Sequence, residues 1–140
     1  MFAFAVWDAQ EKRLFAARDL FGEKPLYFAT TPDGGLLLAS EIRALLASGK
    51  VAPELDLQLV DAFLAFGYVP LDRTIYKNVQ TLPPGHFLDW DGRILRVERY
   101  WLPRFAPHAI GLDEVVERLR ELLSRLYDDR WSRTCRWART

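Results

Sequence analysis

A chain of 140 residues, half of them apolar, holds material for one core and too little for the multidomain machines that most complex chemistry needs. Its 19 basic and 19 acidic side chains cancel, which excludes the strongly basic field that draws in nucleic acid. The single cysteine, Cys135, cannot close an intramolecular disulfide, and two histidines, His86 and His108, are too few for a Cys/His zinc site, so the counts point to a reduced, cytoplasmic setting.

The first residues, MFAFAVWD, reach Asp8 with no basic n-region and no small-residue cleavage site, and so do not make a signal peptide. No stretch approaches 18 apolar residues, so no membrane span is predicted. The opening reads instead as a buried strand, Phe2 to Trp7, turning at Asp8 to Arg13 into a second strand, Leu14 to Arg18. Residues Pro25 to Ala29 and Leu36 to Ala39 give a third and a fourth, joined by Pro32-Asp33-Gly34-Gly35, and the four strands together read as a meander.

Ser40 is placed to cap a helix through about Ser48, with Glu41 at its positive end and Gly49 as its stop. Asp56 is placed to cap another, on which Leu59, Val60, Phe63 and Leu64 share a face before Gly67 and Pro70 end it. Extended structure returns at His86 to Trp90 and Ile94 to Trp101, joined by the hairpin signal Asp91-Gly92. The proline-bearing stretch Leu102 to Gly111 reads as a linker. Beyond it Leu112, Val115, Val116, Leu119, Leu122, Leu123 and Leu126 keep a 3.6-residue period on a helix expected to be capped by Asp113, with no partner element later in the chain.

From the first residue to about Arg130 the chain resembles the middle of a glutamine-hydrolysing asparagine synthetase. The matching pieces are FAFAVWD, LFAARDLFGEKPLYFA, LLLASEIRALLASG, YVPLDRTIYKNVQTLPPGHFLDWDG and the Tyr100-Trp101 pair, in the family's order. The first three also suit other class II amidotransferases, and the TIYKNVQTLPPGHFL stretch followed by a helix points to the asparagine synthetase branch.

The resemblance implies an α+β fold: a partial Ntn-hydrolase-type αββα sandwich of antiparallel strands with helices, followed by a lone amphipathic helix. It implies residues 1–101 as the C-terminal part of a class II glutaminase domain, 102–112 as a linker, 113–130 as the first helix of the synthetase domain and 131–140 as a tail in another reading frame. The family's nucleophile is a cysteine exposed at the mature N-terminus, where its free amine assists as base. Position 2 here is Phe2, Cys135 sits near the other end with no family motif around it, and no SGGLDSS-type ATP loop occurs. The expected catalytic, cofactor-binding and metal residues of this chain are therefore none, although the family works with ATP and magnesium on glutamine and aspartate. Three functional readings follow: an asparagine synthetase fragment inactive alone, a non-catalytic chain completing a split amidotransferase, and a fragment of a related amide-forming synthetase with another acyl substrate.

The tail WSRTCRWART carries three arginines and no acid, leaving the first 130 residues mildly acidic, and arginine outnumbers lysine 15 to 4, as a GC-rich coding strand would give. A GC-rich coding of MVADVPVGAH, a family strand that precedes the ATP loop, reads as all ten residues Trp131 to Thr140 when its first base is dropped. Because two of every three bases in each shifted codon are fixed by neighbours, a one-base loss near Arg130 is the expected origin of the tail.

Several smaller features have structural explanations beside functional ones. Arg18-Asp19 with Gly22, Lys24 and Pro25 suits a glutaminase pocket or a domain interface, but equally a charged strand end with a glycine at positive φ and a proline setting the next strand. Ser40-Glu41 reads as a cap rather than a hydroxyl with its base, and Asp89-Trp90-Asp91-Gly92 as a hairpin rather than a calcium loop. Pro83-Pro84-Gly85-His86 reads as a rigid strand entry in which His86 satisfies a backbone or interdomain hydrogen bond. The tryptophan and arginine alternation of the tail reads as a disordered or out-of-frame end rather than a single-strand-binding surface.

Overall fold

The computed structural model describes residues 1–69, 73–107 and 110–134, with side chains to residue 127. Two units form, Met1–Pro103 and Arg104–Thr140. Pro70, His108, Cys135 and the remainder of the tail, on which parts of the sequence reading rest, lie outside the described residues.

The first unit opens with β1 (Ala3–Asp8) and β2 (Arg13–Arg18), antiparallel partners. Asp8 makes their turn, its Oδ1 accepting from the amides of Gln10 at 2.9 Å and Glu11 at 3.0 Å, the side-chain chemistry that suits Asp to turns. β3 (Tyr27–Thr30) and β4 (Leu36–Ala39) follow as a second hairpin, closed where the Thr31 amide donates to the Gly35 carbonyl at 2.8 Å and Gly34 takes φ +82°. β5 (Gln80–Thr81), β6 (His86–Trp90) and β7 (Leu95–Arg99) complete the strands.

The expected four-strand meander does not form. β1 and β2 join β6 and β7 in one sheet of order β1-β2-β6-β7, whereas β3 and β4 join β5 in another of order β4-β3-β5. The reason is the loop between β2 and β3. Asp19 and Gly22 turn the chain away from β2, freeing that side of β2 for β6, more than sixty residues on.

The two sheets stack. Ala16 and Leu88 of the first sheet meet Phe28 of the second, with Leu26 and Leu82, in a core whose members are at most 7 % exposed. β3 is buried on both sides, because Ala29 faces the opposite way into a second cluster with Leu45, Val51 and Val79. Leu45 belongs to α1 (Ile42–Ala47), so the order of layers is four-stranded sheet, three-stranded sheet, helix. This is an α+β sandwich of antiparallel sheets, as expected.

Two caps differ from the sequence reading. α1 is capped at Glu41 rather than Ser40, with extended backbone and no side-chain cap bond, because the Glu41 carboxylate pairs with Arg43 instead. Gly49 does stop this helix, at φ +70° with its amide on the Leu46 carbonyl at 3.1 Å. α2 (Leu57–Phe66) behaves as read: the Asp56 carboxylate accepts from the Gln58 amide at 3.2 Å and Gly67 ends the helix in the left-handed region at φ +76°. Leu59 and Val60 of its apolar face are half-buried while Phe63 and Leu64 are exposed.

The second unit contains α3 (Leu112–Thr134). It starts one residue before its expected cap. The Gly111 carbonyl takes the Val115 amide at 3.1 Å, which places Asp113 inside the first turn, where its charge complements the helix dipole together with Glu114. The helix also continues past residue 130, since nothing in Trp131–Thr134 is a glycine or proline that would stop it. Leu112, Leu119, Leu123 and Leu126 are each more than half exposed along its apolar stripe. No helix among the described residues is long and apolar enough to cross a membrane.

Candidate functional site

The densest polar arrangement is built on Arg18 and Asp19, at the end of β2. Asp19 is 4 % exposed, and its carboxylate accepts four backbone amides. Oδ1 takes those of Phe21 at 3.1 Å and Glu23 at 3.0 Å, and Oδ2 those of Phe2 and Lys24, both at 3.1 Å. Burial pushes this carboxyl up, but the amides of Glu23, Lys24, Phe2 and Phe21 together outweigh it and hold it at about 2, against an ordinary 3.8.

Arg18 ties three segments together. Its Nε donates to the Lys24 carbonyl at 2.8 Å, Nη1 to the Leu82 carbonyl at 2.7 Å and the Thr81 hydroxyl at 3.2 Å, and Nη2 to the Gly22 carbonyl at 2.7 Å. The Tyr100 hydroxyl donates back to the Arg18 carbonyl at 2.7 Å. Burial, then the nearby charge of Asp19, raises the pKa of Tyr100, which keeps it a donor.

Gly22 and Gly85 make this packing possible. Gly22 has φ +67°, and a Cβ there would stand 2.8 Å from the Pro84 ring and 3.0 Å from the Arg18 guanidinium. Gly85 has φ +65°, with the Trp101 carbonyl oxygen where a Cβ would meet it at 2.7 Å; its own carbonyl accepts from Tyr100 and Trp101. The motif therefore works as a clasp that binds the β2–β3 loop to the strand-entry loop before β6. Its carboxylate spends its acceptors, and its guanidinium four of its five N–H groups, on the protein itself. That geometry favours the structural explanation of Arg18, Asp19, Gly22, Lys24 and Pro25.

The other singled-out residues are dispersed. His86 Nδ1 meets the Pro84 carbonyl at 2.7 Å, the backbone hydrogen bond expected of it. Asp91 closes the β6–β7 hairpin by accepting from the Arg93 and Ile94 amides at 2.9 and 2.8 Å, with Gly92 at φ +90°, so the acidic run there is a turn. Asp89 is instead held by the fork of Arg13 at 2.6 and 2.5 Å, and the hydrogen bond to Arg13 is the main cause that lowers its pKa. Among the described residues no three His, Cys, Asp or Glu side chains gather as metal ligands.

Beside the clasp lies a groove of about 380 Å³ flanked by Phe21, Pro84, His86, Arg99 and Trp101, in which the Phe21 and Trp101 rings meet edge to face at 5.3 Å. Sequence reasoning missed the roles of Thr81, Gly85 and Tyr100 in the clasp and the Arg13–Asp89 pair. Each joins residues more than sixty positions apart or lies on a turn whose partner is remote, and no local spacing signals it.

Residues 1–101 match the family model described as a glutamine amidotransferase domain. A Mycobacterium bovis protein named "Putative asparagine synthetase (glutamine-hydrolyzing)" is 37 % identical over 133 residues, covering 91 % of this chain and 20 % of that protein. Asparagine synthetase (glutamine-hydrolyzing) 3 of Bacillus subtilis is 34 % identical over 123 residues, covering 87 % of this chain and 20 % of its own. The amidase chyE of Penicillium rubens is 41 % identical over 87 residues, 62 % of this chain and 12 % of that one. The chain thus spans about a fifth, or less, of the length of these relatives. Since the family model covers both stacked sheets, from β1 through the clasp to Trp101, the chain belongs to the glutamine amidotransferase domain family.

Proposed function

We propose that the chain is the C-terminal part of the glutaminase domain of an asparagine-synthetase-type enzyme, joined to the first helix of its synthetase domain, and that by itself it hydrolyses no glutamine. The observation that carries this is the match of residues 1–101 to an amidotransferase domain in a chain that spans about a fifth of its asparagine synthetase relatives and whose 140 residues hold no cysteine in a family motif. The clasp adds support, because its most perturbed carboxylate is engaged by backbone amides and holds loops rather than substrate.

The parent reaction would be cytoplasmic amidation of aspartate with ammonia released from glutamine, at the cost of ATP. The magnesium-bound nucleotide of that reaction finds no fit here: the described residues hold no cluster of metal ligands, and the 140 residues contain no SGGLDSS-type loop. The purified chain at 50 μM or so, incubated with millimolar glutamine, is expected to release no glutamate above the rate of a boiled control. Family-like turnover by this chain alone would overturn the proposal.

A second reading is favoured by the uncovered apolar outer face of the four-stranded sheet: the chain serves as a non-catalytic partner that completes a split amidotransferase. Co-expression with a chain carrying the cysteine-bearing half tests it, with a soluble one-to-one complex and restored glutaminase activity as the supporting outcome. The tail is proposed to be out of frame, on the strength of ten consecutive shifted codons. Sequencing the coding DNA beyond codon 130 should show VPVGA-like and SGGLDSS-like peptides in the alternative frame, and their absence there ends that proposal.

A further inference from the structure

We draw no further inference here: the strongest candidate, the apolar groove of about 380 Å³ beside the Arg18–Asp19 clasp, flanked by Phe21, Pro84, Arg99 and Trp101, carries none because nothing in the structure shows what covers it.

Discussion

Asp19 shows how one buried charge can be stabilising without an ionic partner. Four backbone amides supply its hydrogen bonds, and the charge stays because its solvation by water is replaced donor for donor. Asp19→Asn keeps the shape but turns an NH2 group toward amides that need an acceptor. A loss of about 2–3 kcal/mol is expected in the free energy of urea unfolding. The pH dependence has a fixed sign. Because the folded carboxyl sits at about 2 and an unfolded one near 3.8, its contribution is fully present above 3.8 and disappears as pH falls through 2. Urea midpoints measured from pH 5 down to pH 2 should fall, and fall less steeply in Asp19→Asn. The Arg18-Asp19 spacing made this pair visible in the sequence. What it bonds to was invisible, because the donors and acceptors are mostly backbone groups that every residue carries.

Turns and caps were legible wherever the chemistry is local. Asp8, Asp91 and Asp56 each bond an amide two or three residues ahead, so their roles follow from sequence position alone. Glycine roles separate by surroundings. Gly92 and Gly85 both have positive φ, but a Cβ at Gly92 would meet nothing within 4 Å, whereas at Gly85 it would collide with the Trp101 carbonyl. Gly92→Ala is expected to cost about 1 kcal/mol, the left-handed backbone penalty, and Gly85→Ala at least about 2, because the clasp must also open. Thermal melts of the two variants check the order. The caps that were misplaced, Ser40 and Asp113, lie next to another residue able to do the job, and one-residue shifts at helix ends leave hydrophobic periodicity unchanged.

Across the whole molecule, the alternation of strand side chains divides each strand between a core and a surface. Leu88 is fully buried between the sheets while Val6, on the outer face, is 56 % exposed. Leu88→Ala should therefore cost about 2–5 kcal/mol through lost burial and an unfilled cavity, and Val6→Lys no more than about 0.5. Chemical denaturation of both variants measures the contrast, and equal costs would mean that the sheet faces are wrongly assigned.

The sequence by itself determined the family, most of the strands and helices and the turn chemistry, because these depend on residues near one another or on motifs kept in order. Only the tertiary structure decided that the two hairpins belong to different sheets and that Arg18 and Asp19 are spent on remote backbone groups. Period-two alternation says which way a side chain points but not which strand lies alongside. Pairing is settled by contacts such as β2 with β6, whose cost in loop closure grows only slowly with the length of chain between them.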